Sequence, residues 1–250
     1  MYSLAEIHAL ADSCPYQFPH PSTDVSSSGL IALGGDLSVG TLVYAYTHGL
    51  FPWFNDGEPI AWWCPNPRCV MIPQDFRPAK SLVRTAKKSD WTLTINHTFD
   101  EVMHACSLPR SYSDDTWIHD EMKSAYHTLH TLGIAVSIEI WEHVPFDSEL
   151  VGGLYGVQIG QMFFGESMFH RRTDASKLAF WGLNILCTRA NIALIDCQLE
   201  NSYLLGLGAS LMTRDEFLTK LDHAMWLDSS FANLPKIHKV KDLVNSLGLT

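Results

Sequence analysis

The chain has 250 residues, 46% of them hydrophobic, enough to bury a sizeable core in one large domain or two small ones. Its formal charge is -10, so a polyanionic partner is repelled on average and nucleic acid can bind only through a locally basic patch. No basic start with an apolar run opens the sequence and no apolar stretch of about 18 residues follows, so neither signal peptide nor spanning helix is read and a soluble, cytoplasmic protein is expected.

Residues 1–28 are rich in Pro and Ser and read as an irregular lead-in. Ser38 can cap a helix from Val39 to Thr47 by offering its hydroxyl to first-turn amides, and Gly49 can stop it. The next stretch is unusually aromatic: Phe51-Pro-Trp-Phe54 and Ile60-Ala-Trp-Trp-Cys-Pro-Asn-Pro-Arg68 crowd Trp53, Trp62 and Trp63 among prolines. Such rigid, flat-faced segments fit a small core or domain seam, or a platform on which bases or an adenosine stack. After Pro78, residues 79–89 read as a short helix with Lys80, Arg84, Lys87 and Lys88 at i, i+4, i+7 and i+8, hence on one face. In so acidic a chain this is the strongest local charge, either a solvated face or a phosphate-binding one.

Residues 91–96 alternate like a strand, Phe99 to Cys106 reads as a short helix, and a polar loop from Ser111 to Asp115 leads to Thr116-Trp-Ile118. Asp120 to Leu132 is an amphipathic helix ended by Gly133, and Ala135 to Trp141 is a strand. Leu150 to Phe169 then reads as a β-hairpin about Gln158-Ile-Gly-Gln161, with Glu166 on its second strand between Gly165 and Ser167. A carboxylate among Phe163, Phe164, Met168 and Phe169 calls for a polar or cationic partner if buried; the alternative is a solvated strand end. Thr173 or Asp174 caps a helix from Ala175 to Arg189, a strand runs from Ala193 to Gln198, and Ser210 to Leu221 holds one more strand and helix. The tail from Ser229 reads as polar, basic and peripheral. This order gives an α+β fold with two strands joined through a crossover helix.

The six cysteines contain no C-x-x-C pair, so buried thiols are expected rather than a disulfide framework or zinc ribbon. His127, His130 and His170 lack a further ligand at readable spacing, and no metal is assigned. Alternation in Leu194-Ile-Asp-Cys-Gln198 puts Asp196 and Gln198 on one strand face, where the Asp can orient the Gln so that its oxygen accepts from an incoming amine. A buried polar pair holding a loop is the plainer alternative.

Seven ordered segments between about residues 18 and 221 resemble the bacterial leucyl/phenylalanyl-tRNA–protein transferases: Gly29-Leu-Ile-Ala-Leu-Gly-Gly-Asp-Leu, Gly49-Leu-Phe-Pro-Trp-Phe, Trp62-Trp-Cys-Pro-Asn-Pro-Arg, Leu150-Val-Gly-Gly-Leu-Tyr-Gly, Phe164-Gly-Glu-Ser-Met-Phe, Asp174-Ala-Ser-Lys and Leu194-Ile-Asp-Cys-Gln. The resemblance implies a small N-terminal domain, residues 1–66, followed by a GNAT-type acyltransferase domain with a mixed sheet, residues 67–250. It implies transfer of Leu or Phe, with Met a third donor, from aminoacyl-tRNA to proteins beginning with Arg or Lys, which marks them for N-end rule degradation. It places catalysis at Asp196 and Gln198, makes Glu166 a substrate-orienting carboxylate, and forms the apolar pocket from Leu154, Phe163, Phe180 and Ile195. Trp53, Trp117 and Tyr126 match positions that receive the 3′-terminal adenosine, and Lys80, Arg84, Lys87 and Lys88 match the tRNA-binding helix. No cofactor, no membrane and a monomer are implied.

An aminoacyl ester is already activated, so alignment of the amine and support for an oxyanion suffice. A cationic acceptor suits a site holding Glu166 and Asp196. Because Phe163 and Glu166 have opposite strand parity, they can share a pocket only if Gly165 introduces a bulge or the pocket wraps the strand end. Departures from the usual pattern fall at Cys64, Asn66, Val136, His170, Tyr203 and Gly206 and bear on donor preference and tRNA affinity. An acetyl-CoA-dependent N-acetyltransferase would need a Gly-rich pyrophosphate loop, which Asp174-Ala-Ser-Lys177 does not supply. A non-catalytic RNA-binding module is the reading from another class.

Overall fold

The strand Ala135–Trp141 is buried along its whole length, as a strand covered on both faces must be. The computed structural model, which describes residues 2–22, 28–109 and 116–246, builds the protein around it. The expected loop from Ser111 to Asp115 lies outside the described residues.

The N-terminal part contains α1 (Leu4–Ala11), β1 (Leu30–Leu33), α2 (Val39–Thr47), β2 (Phe51–Pro52) and β3 (Ala61–Trp63), the strands forming an antiparallel sheet in the order β1-β3-β2. Then follow β4 (Arg68–Met71), α3 (Lys80–Lys88), β5 (Thr92–Ile95), α4 (Phe99–Ser107), α5 (Asp120–Thr131), β6 (Ala135–Trp141), β7 (Leu150–Ile159) and β8 (Met162–His170). The chain continues through α6 (Ala175–Arg189), β9 (Leu194–Gln198), α7 (Ser202–Leu205), β10 (Ser210–Met212), α8 (Arg214–Met225), β11 (Ile237–Lys239) and α9 (Val240–Asn245). Among the described residues, the second sheet has eight strands in the order β10-β4-β9-β8-β7-β6-β5-β11. It is mixed: β8 and β9, joined through α6, run parallel, and the other neighbours are antiparallel. The architecture is α+β.

Each face of this sheet carries its own core. Tyr155, Val157 and Phe164 join α2, α4, α5 and α8 on one side, while Ile138, Leu154 and Phe163 join α3, α6 and α9 on the other. Two expectations change here. Residues 4–11 form a helix, not an irregular lead-in, because Ser3 and Glu6 close a reciprocal capping box. The tail from Ser229 is not peripheral: β11 pairs with β5 at the sheet edge, and Phe231, Val240, Leu243 and Val244 are buried. At α6, Asp174 holds the cap position with φ of 69°, but no side-chain cap forms; its carboxylate takes Lys177 Nζ at 3.0 Å and Thr85 Oγ1 at 3.2 Å instead.

Candidate active site

β8 and β9 pair only from Met162–Leu194 to Phe164–Asp196, and beyond that point both strands deform. In β8 the register against β7 passes from Gly156–Gly165 to Tyr155–Ser167, leaving Glu166 as the extra residue of a bulge. In β9, Gln198 turns into the left-handed region with φ of 63°, a conformation that non-glycine residues adopt at a cost. A cleft of about 560 Å³ opens in the resulting split. Leu154, Phe180, Leu183 and Ile195 line its apolar part, Glu166 and Gln198 supply the polar groups, and Trp53 and Trp117 also line it.

The expected bulge is present, yet Gly165 is not the glycine it depends on. A Cβ on Gly165 would meet only the Asp196 carbonyl, at 3.4 Å, whereas one on Gly156, across the ladder, would fall 2.2 Å from the Phe164 carbonyl and 2.6 Å from the Phe163 ring. Nor does the bulge bring Phe163 and Glu166 into one wall. Phe163 is buried among the α6-side residues, with its ring 6.1 Å from that of Phe231, and does not line the cleft.

Among the described residues, the hydrogen-bond partners of Glu166 are all neutral. Tyr46 Oη lies 2.8 Å from Glu166 Oε1 and Tyr126 Oη 3.2 Å from Oε2, the two phenol oxygens are also within hydrogen-bonding contact of each other, and Gln198 Nε2 donates to Oε1 at 3.0 Å. Burial pushes the Glu166 carboxyl up to about 7, against the pull of the hydrogen bonds from Tyr46 and Tyr126, and the charge of Asp196 adds to the rise. Burial likewise raises both phenols well above the usual tyrosine value, so they act as donors. Tyr126 is fully buried and reaches the site through its hydroxyl, so it offers no exposed ring for a stacked base. Trp53, 43% exposed, and the half-buried Trp117 do present surface at the cleft.

Asp196 is also placed otherwise than expected. It is fully buried, and Arg68, itself buried, clamps it through Nε at 2.8 Å and Nη2 at 2.6 Å. The guanidinium lies over the rings of Phe51 and Phe217, at 4.9 and 4.4 Å from their centroids. Asp196 therefore adds no free negative charge to attract a cationic acceptor. It orients Gln198 through the backbone, its Oδ1 accepting the Gln198 amide at 2.9 Å, while the Gln198 side chain pairs with Glu166. With Nε2 spent on Glu166, the Gln198 oxygen is left to accept from another donor. Arg68 was legible in principle: a cation opening the apolar run Cys69-Val-Met71 needs a buried anion, and Asp196 lies in another apolar strand. Tyr46 carries no comparable signal.

The four cations of α3 are all exposed, above the buried Leu82 and Ala86. His127 and His130 do not converge: one meets Asp100 at 2.8 Å and the other the Ala135 carbonyl at 3.0 Å. No helix among the described residues is long and apolar enough to cross a membrane.

Comparison with known proteins extends this geometry. Residues 70–222 match the family described as "Leucyl/phenylalanyl-tRNA protein transferase", and residues 35–66 match "Leucyl/phenylalanyl-tRNA protein transferase N-terminal domain". Relatives named leucyl/phenylalanyl-tRNA–protein transferase include that of Psychrobacter arcticus, 55% identical over 83% of this chain and 78% of its own. That of Shewanella halifaxensis is 48% identical over 82% and 86%, and that of Lawsonia intracellularis 46% identical over 88% and 94%. The crystal structure of FemX is similar at a TM-score of 0.45, with 12% identity and 60% of each chain covered. By both the matched regions and the identity to these relatives, this chain belongs to the leucyl/phenylalanyl-tRNA–protein transferase family.

Proposed function

We propose that this protein transfers Leu or Phe from aminoacyl-tRNA to the α-amine of proteins beginning with Arg or Lys, and so marks them for N-end rule degradation. The observation that carries the reading is the split between β8 and β9, where one cleft joins an apolar wall to the Glu166–Gln198 pair. Leu154, Phe180, Leu183 and Ile195 suit an uncharged side chain and sort such side chains by size, at about 1 to 3 kcal/mol per methylene. Trp53 and Trp117 offer faces to the terminal adenosine, and the exposed cations of α3 meet tRNA phosphates. The amine is received by the Gln198 oxygen beside Glu166, with Asp196 and Arg68 holding the backbone beneath.

The deciding experiment incubates the protein with tRNA charged with labelled Phe and a casein-like acceptor beginning with Arg. Label moves to the acceptor if the reading holds; intact charged tRNA with no transfer overturns it. Asp196→Ala in the same assay separates catalysis from RNA binding alone, since only catalysis requires the clamp beneath Gln198.

A further inference from the structure

The amine that attacks an aminoacyl ester arrives as an ammonium ion and must lose a proton before its lone pair can form a bond. The cleft offers few groups able to take it. Asp196 has no exposed surface and both its oxygens are occupied, by Arg68 and by the Gln198 amide. Gln198 is an amide and not a base. Glu200 lies exposed on the cleft wall. Glu166 lines the cleft and touches Gln198 directly.

The contacts around Glu166 also carry a proton count. Its two oxygens and the hydroxyls of Tyr46 and Tyr126 close a ring with three oxygen–oxygen contacts: carboxylate to each phenol, and phenol to phenol. Two phenol protons fill two of those contacts, and the third is filled only when the carboxyl holds a proton of its own. The ring is thus complete in the protonated state and one proton short in the ionised state.

We propose that Glu166 is the proton acceptor of the transfer reaction, and that its ring with Tyr46 and Tyr126 lets it take up a proton and return it. This rests on the aminoacyl-transfer reading above. Glu166 carboxylate takes a proton from the acceptor ammonium, and the freed lone pair bonds to the ester carbonyl carbon while the π pair moves to its oxygen. Collapse of that intermediate restores the carbonyl and breaks the bond to the tRNA 3′-oxygen, which keeps the pair and receives the proton from Glu166. Glu166 then accepts the second proton from the new amide nitrogen and passes it to water, so that one proton is released per transfer. Gln198 orients the amine, and Tyr46 and Tyr126 are positioning residues.

Groups facing Glu166 come from several elements: Tyr46 on α2, Tyr126 on α5 with Tyr155 of β7 against its ring, and Gln198 and Asp196 on β9 with Arg68 of β4 behind them. A carboxyl at about 7 is close to an α-ammonium at about 7.7 to 8, so the proton passes between them at little cost.

The test is the pH dependence of kcat and of acceptor KM with Phe-tRNA and an Arg-starting peptide. Glu166→Gln is expected to lower kcat by about 100-fold or more and to leave a rise of rate with pH set by the acceptor amine alone, at about 7.7 to 8, with acceptor KM changed less than about threefold. Tyr46→Phe removes a donor that favours the anion, so its rise is expected to shift to higher pH by roughly half a unit to one unit. That shift is attributable to the enzyme because the acceptor is unchanged, and it decides the matter even where Glu166→Gln fails to fold. A Tyr46→Phe profile with the parent midpoint overturns the proposal. So does a Glu166→Gln enzyme whose acceptor KM rises while kcat stays intact, or a pH limb lost in Glu200→Gln instead. If the unsubstituted protein transfers nothing, the function itself falls; if it transfers and these shifts are absent, only the proton acceptor does.

Discussion

Asp196, on β9, has a guanidinium against both its oxygens and no exposed surface, whereas Glu166, extruded by the bulge in β8, is held by two phenols and an amide, all neutral. The chemical group is the same, and its surroundings assign it opposite work. A carboxylate paired with a buried cation is a fixed strut, costly to disturb. One held only by neutral donors has its desolvation cost partly offset and sits near the point of taking a proton.

The largest expected effect comes from breaking the strut. Arg68→Met leaves Asp196 buried without its cation and should cost about 3 to 5 kcal/mol in urea unfolding. Combining it with Asp196→Leu should recover most of that loss, since no charge is then stranded; a double variant as unstable as the single one would show that packing, not charge, is at stake. Gly156→Ala attacks the bulge that presents Glu166, and with its Cβ 2.2 Å from the Phe164 carbonyl it should lower stability by about 1 to 3 kcal/mol.

Glu166→Gln addresses the second carboxylate through its pH dependence. The folded-state value, about 7, lies above the ordinary 4.5, so this group's contribution to stability is full below pH 4.5 and is lost as pH rises through 7. The variant lacks that loss. Thermal unfolding should therefore show it gaining on the parent between pH 5 and 8 by roughly 1 to 3 kcal/mol, discounted for water in the cleft. A constant difference across that range would place Glu166 in ordinary solvent. The smallest effect belongs to Gly165→Ala, within about 1 kcal/mol of the parent, because nothing lies closer to its new methyl than 3.4 Å.

Periodicity made most of the elements readable: the cap at Ser38, the basic face of α3, the buried strand β6 and the hairpin of β7 and β8 all follow from local rules. Parity points to a bulge only if Phe163 and Glu166 share a pocket; the bulge forms, but Phe163 stays on the α6 side outside the cleft. The glycine supporting the bulge could not be anticipated, since what excludes a side chain at Gly156 is a carbonyl on the neighbouring strand. Arg68 and Asp196 lie 128 residues apart and Tyr46 and Glu166 are 120 apart, so their pairing is a property of strand order and not of any local pattern. The tail was misread for a similar reason: its polar and basic composition is that of a surface, while Phe231, Val240, Leu243 and Val244 sink into the core beside α6.

That tail has a consequence for how the molecule comes into being. β5 lies between β6 and β11, and Ile95 and Trp91 complete their backbone bonds with Lys236 and Val240. During synthesis, β5 remains an open edge until residues 236–240 have emerged, although β6, β7 and β8 are available to pair long before. The sheet is therefore most vulnerable to adding a strand from another chain late in translation, when most of it is built and one side is still bare. A nascent protein that stalls in this window would present a nearly finished template for aggregation, and the arrival of β11 replaces the edge at β5 (Thr92–Ile95) with the shorter strand Ile237–Lys239.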